Sequence, residues 1–276
     1  MLFLFFCCTS EKTPDSVALL STTDISIGTE QSIAEMVRID PTLMHSGWTH
    51  SMQTLSDNTC PPMEIHNGMD LWRESCTTED GHQFLGWSLN FRGRNIPSDC
   101  CMLEEYDWLS GQAQIINADT GTLLQNFGDI LHQKGVDSSG NPVLEGFVYG
   151  DFYWDDPSAE NSWLLSDISM EYYYTFTQKP QGDQVDLQAW LSYFSADVSA
   201  AIFESVFFDA SICKQEPVQG EIWIRDNTGR WYALLFDGET SCDGCGAVFQ
   251  QDQLLGDSCV DFSPLFNWDE FPWENR

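Results

Sequence analysis

The stretch GEIWIRDNTGRWYALLFDG (220–238) limits the fold more than any other. Two runs of alternating apolar and polar residues flank Asp226-Asn-Thr-Gly229. Period-two alternation puts one set of side chains in a core and the other in water, and the glycine supplies the positive φ that a tight turn requires. The stretch therefore reads as a β-hairpin.

The same pattern recurs along the chain. QFLGWSLNF (83–91) and QAQIIN (112–117) read as strands, and Asn117-Ala-Asp-Thr-Gly121 is a turn leading into TLLQNF. VDSSGNP (136–142) is a further turn, followed by the strands LEGFVYGDFYW (144–154) and MEYYYTFTQ (170–178). VDLQAWLSY (185–193) fits both a helical stripe and a strand; the aromatic and β-branched run after it favours the strand. Turn signals without regular strand–helix alternation predict an all-β, antiparallel, β-sandwich-like domain. SIAEMVRI (32–39) reads as a short helix ending before Asp40-Pro41, and 45–81 reads as irregular.

Ten cysteines add covalent constraint. Setting aside Cys7 and Cys8, the disulfide candidates are Cys60, Cys76, Cys100 and Cys101 in one group and Cys213, Cys242, Cys245 and Cys259 in another. An even number suits a disulfide framework in an oxidising compartment, with bridges kept within each group. Cys242-Asp-Gly-Cys245 also admits a zinc half-site or a redox pair. Its glycine-rich setting favours structural bridges.

Leu2 to Phe6 are all apolar, and Cys7 and Cys8 follow directly. Five residues are too few to cross a bilayer, which takes roughly 20. The run resembles the end of a bacterial lipoprotein signal peptide, with Cys7 as the small residue before the cut and Cys8 as the lipidated cysteine. The resemblance implies residues 1–8 as signal peptide and lipid attachment, several acyl chains on Cys8, and a place in the cell envelope, at the outer membrane or cell surface. Residues 9–40, rich in Thr, Ser, Asp and Glu over their first two dozen positions, read as a flexible tether. Residues 41–276 read as the β-rich body, with a sub-boundary at 179–184.

With 43 acidic and 11 basic residues the net charge is −32, a field that repels nucleic acid and anionic lipid surfaces. Cations, cationic proteins and uncharged ligands such as carbohydrate remain as partners. Phe147, Tyr149, Asp151 and Tyr153 share one strand face, which is either a stacking platform for a cationic or carbohydrate ligand or the half-buried side of a sheet. Asp137, Ser139 and Asn141 alternate like the first ligands of a calcium loop, but Pro142 and the missing later Glu favour a plain turn. No cofactor is expected otherwise. The chain shows no hydrolase elbow, zinc-protease helix, phosphate loop or dinucleotide fingerprint. Its five histidines lack ligand spacing, and His45 and His50 are expected at the surface. Glu145 and Asp151, six residues apart on one strand, lie about 20 Å apart, too far for a glycosidase pair. The expected function is a non-enzymatic binding or structural role; the alternative is a secreted hydrolase acting on polysaccharide or peptide.

Overall fold

The structure, a computed structural model, describes residues 18–38, 41–57, 59–97, 102–119, 121–154, 163–164, 168–193 and 198–266. Cys7, Cys8, Cys100, Cys101 and the closing NWDEFPWENR lie outside them.

Two helices open the described chain, α1 (Thr22–Arg38) and α2 (Pro41–Leu55). Strands follow: β1 (Met63–His66), β2 (Met69–Trp72), β3 (Cys76–Thr77), β4 (His82–Pro97), β5 (Met102–Asn117), β6 (Gly121–Val136) and β7 (Pro142–Trp154). After β8 (Trp163–Leu164) come β9 (Ile168–Thr177), β10 (Gln184–Tyr193), β11 (Val198–Asp209), β12 (Gln219–Asp226), β13 (Trp231–Phe236), β14 (Cys245–Gln250) and β15 (Gln253–Cys259). All belong to one antiparallel sheet, ordered β1-β2-β4-β5-β6-β7-β9-β10-β11-β12-β13-β14-β15, with β3 on β4 and β8 on β7. The domain is thus β-rich, antiparallel and disulfide-bonded. Its strands form a single meander, and the layer that covers part of the inner face is helical: α2 packs on β5 and β6, and α1 on β11, β12 and β15.

Alternation decides which face is inside. Along β10, Val185, Leu187, Ala189 and Leu191 are buried, with exposed residues between them. The even positions of β7, Leu144, Val148 and Phe152, do the same, joined by Tyr172, Tyr174 and Phe176 of β9. Gly128 and Gly150 face each other across β6 and β7. Gly150 has φ +119, and a Cβ there would stand 2.1 Å from the Phe127 carbonyl oxygen. Only glycine lets the two strands approach in this way.

Four expectations are corrected. Residues 22–38 of the expected tether form α1, docked through Ile25, Ile33 and Met36. Ser21 and Asp24 cap it reciprocally: the Asp24 amide donates to Ser21 Oγ (3.2 Å) and the Ser21 amide to Asp24 Oδ2 (3.0 Å). α2 replaces expected irregular structure, with Pro41 at its first position and Trp48 packed edge-on against Trp72. His45 is buried on this helix rather than at the surface. The stretch 179–184 is a hairpin connection through which sheet pairing continues from β9 to β10, and it divides nothing.

Cys60–Cys76, Cys213–Cys242 and Cys245–Cys259 are bridged, each within its expected group. Cys242 and Cys245 bond to different partners, so in this structure they are neither a redox pair nor thiolate ligands.

Candidate functional site

Burying the even positions of β7 turns Phe147, Tyr149, Asp151 and Tyr153 to the opposite, outer face. Tyr149 is 54% exposed, and the other three are half-buried. The strands beside them extend this surface. Tyr149 pairs with Asp129 on β6 and Glu171 on β9; Glu171 pairs with Trp190 on β10, Trp190 with Ile202 on β11, and Ile202 with Trp223 on β12. In an antiparallel sheet directly opposed side chains are neighbours on one face, with Cβ atoms about 4.5–5.5 Å apart. One row thus runs Asp129, Tyr149, Glu171, Trp190, Ile202, Trp223.

A second row runs alongside it. Phe147 pairs with Tyr173, their ring centroids 5.9 Å apart, and Tyr173 pairs with Gln188. The Tyr173 hydroxyl donates to Glu171 Oε1 (3.1 Å). Partial burial raises the Tyr173 phenol above its ordinary value, and the hydrogen bond and charge of Glu171 add to the shift. Tyr173 therefore stays a neutral donor around neutral pH. The pairing of β10 with β11 shifts register between Leu187 and Ala189. An open groove lies here, lined on its outer side by Glu171, Tyr173, Gln188, Trp190, Ile202 and Glu204. Trp190 is 53% exposed, Tyr173 44%. Among the described residues, no lysine or arginine lines the groove.

Of the four sequence-identified residues, Phe147 and Tyr149 border this groove, whereas Asp151 and Tyr153 lie further along β7. The sequence reading missed Glu171, Tyr173 and Trp190. Their signal was present in the alternation of β9 and β10, but which strands pair cannot be read from alternation alone.

Other concave places differ in chemistry. Between α2 and the sheet lies a small apolar recess walled by Met44, Trp48, Leu109, Leu124, Asn126 and Phe152. Among the described residues, no carboxylate, serine or cysteine lines it. A groove near the last two bridges carries Asp243, Asp261 and Ser263. Asp243 Oδ1 accepts the Cys245 amide (3.0 Å) and Asp261 Oδ1 the Ser263 amide (2.9 Å). The Ser263 contacts hold the Asp261 carboxyl below its ordinary value, opposite to what a general acid needs. In the aromatic groove, Glu171 and Glu204 stand two strands and two residues apart, about 12 Å between Cα atoms by sheet geometry.

Asp137 is held by its own turn: Oδ1 accepts the Ser139 and Asn141 amides (2.8 and 2.9 Å) and Oδ2 the Asn141 side-chain amide (2.8 Å). Among the described residues, no group of three or more His, Cys, Asp or Glu side chains is placed to hold a metal ion. Comparison with protein-family models, curated proteins and solved structures returned no match.

Proposed function

We propose that the chain is an exported, envelope-anchored lipoprotein, attached through Cys8, whose sheet presents its outer face as a non-enzymatic binding surface. Two features support the address: the lipoprotein-like run at Leu2–Cys8 and the three bridges, which suit an oxidising compartment. The observation that carries the binding role is the exposure of Tyr149, Tyr173 and Trp190 around one carboxylate, Glu171. Water-exposed aromatics are unfavourable left bare, and clustering them around a polar group makes a surface that gains by being covered.

Two measurements test this reading. The intact mass of protein from its native envelope, with and without reductant, reports acylation of Cys8 and the number of bridges; an unacylated chain retaining Met1 defeats the address. Oxidative footprinting of Tyr149, Tyr173 and Trp190 tests the face. Protection in the envelope relative to the purified chain is expected, and equal labelling defeats the binding role.

A further inference from the structure

We infer that the outer groove takes an extended basic segment of a partner protein, with its lysine or arginine side chains lying among Tyr149, Tyr173 and Trp190 and reaching Glu171, Glu204 and Glu221. This rests on the reading of the outer face as a binding surface and adds the chemistry of what binds there.

Four observations select a cation over an uncharged sugar. First, Glu171 stands between Tyr149 on one neighbouring strand and Trp190 on the other. A cation over these rings meets their negative faces and the carboxylate together. Second, Glu204 and Glu221 are directly opposed across β11 and β12. Like charges in that relation are destabilising, and an uncharged ligand leaves the repulsion in place. Third, this face already seats one cation on an indole: the Arg225 guanidinium carbon lies 5.7 Å from the centre of the Trp231 ring. Fourth, the net charge of −32 draws polycations toward every part of the surface, and the groove adds the rings that hold one in place.

The spacing selects a chain segment over a small cation. Glu171 lies on β9 and Glu221 on β12, three strand spacings across and two residues along the strands, about 16 Å. One ammonium group does not reach both. An extended chain advances about 3.3 Å per residue, so basic residues four positions apart share one face and stand about 13 Å apart, and their long side chains cover the rest of the interval.

The test is titration calorimetry on the full-length, disulfide-intact protein. The probe is a synthetic peptide with arginine at every fourth position, compared with the same peptide carrying citrulline, and with choline as a small cation. The arginine peptide is expected to bind with an affinity that falls as salt rises, while the citrulline peptide binds at least tenfold more weakly. Glu171→Gln, Glu204→Gln and Trp190→Ala should each weaken the arginine peptide severalfold without lowering the melting temperature. Asp252→Asn, the same charge change on the remote β14–β15 turn, should leave binding as it was.

Equal losses in Asp252→Asn and Glu171→Gln would reduce the effect to bulk charge and overturn the inference. Choline binding as tightly as the peptide would overturn it in favour of a small-cation pocket. Failure of the arginine peptide while Trp190 stays protected in the envelope would overturn the basic segment and leave the binding face standing. Failure of both would remove the two together.

Discussion

The Tyr232 hydroxyl donates to Asp226 Oδ2 (3.1 Å) and accepts the backbone amide of Leu20 (3.2 Å). The start of the described chain is thereby tied to the β12–β13 turn. Arg230 strengthens the tie, its Nη2 donating to the Ala18 carbonyl (2.7 Å) and its Nε to Asp226 (2.8 Å). Any lipid anchor upstream would therefore hold the sheet at this end, with α1 starting immediately after the tie.

Asp226 is the centre of that network. Burial alone would raise its carboxyl, but hydrogen bonds from Thr228, Arg230 and Tyr232 outweigh burial and bring it down to about 2. A depressed carboxylate contributes stability that is present above its unfolded value of 3.8 and is lost as pH falls through about 2. Asp226→Asn should lower the unfolding free energy by about 2 kcal/mol at pH 7, with the difference from the parent shrinking below pH 4. Denaturant melts across pH check this, and a gap unchanged down to pH 2 refutes it.

Glu216 behaves in the opposite sense. It is fully buried, and among the described residues neither carboxylate oxygen finds a hydrogen bond of good geometry. Burial, with the charges of Asp243 and Asp237 adding, pushes it up to about 7, and the nearby Gly244 and Cys245 amides offset this only in part. A raised carboxyl favours the protonated fold. Its contribution is therefore present in full below the unfolded value of 4.5 and is lost as pH rises through about 7. Glu216→Gln should be more stable than the parent by about 2 kcal/mol at pH 8 and indistinguishable from it at pH 4. Thermal melts at the two pH values decide it: equal curves at pH 8 sink the prediction.

The strands and their turns were legible because the alternation of LEGFVYGDFYW and the Asp226–Gly229 turn depend on local sequence alone. The nine-residue pattern of VDLQAWLSY resolved to strand for the same reason. α1 was not legible as a full helix. Its buried stripe uses Gly28, Thr29 and Ser32 beside Ile25, Ile33 and Met36, so a packed face looks polar. Gly28 lies so close to Val198 that a Cβ would stand 2.7 Å from its Cγ2, and Ser32 accepts the Tyr193 hydroxyl (2.6 Å). The Ser21-x-x-Asp24 cap was the available signal for its start. The groove was half legible: β7 announced Phe147 and Tyr149, whereas Glu171 and Trp190 join them only through strand order, which depends on contacts distant in sequence.

The Cys213–Cys242 bridge closes 29 residues across the connection that holds Glu216. A closed loop of that length restricts the unfolded chain by about 3–4 kcal/mol in the loop-entropy account. Replacing both cysteines by serine should lower stability by that order while leaving the groove's affinity for its ligand unchanged, since Trp190 and Glu171 lie on strands the bridge does not touch. Unchanged stability in paired melts would show that the bridge constrains nothing.

Gly150 supplies the sharpest test of the sheet itself. Alanine there places a methyl group 2.1 Å from the Phe127 carbonyl oxygen at a φ of +119, which side-chain-bearing residues rarely adopt. The obstacle is backbone, which cannot swing aside as a flexible side chain would, so β6 and β7 must separate. Phe127 and Asp151, directly opposed beside this point, would part with them. Gly150→Ala should destabilise by about 3 kcal/mol or more. Amide exchange should quicken first along β6 and β7, while β12 and β13 keep their protection until global unfolding. Uniform exchange with parental stability would mean that the two strands do not approach as closely as the fold requires.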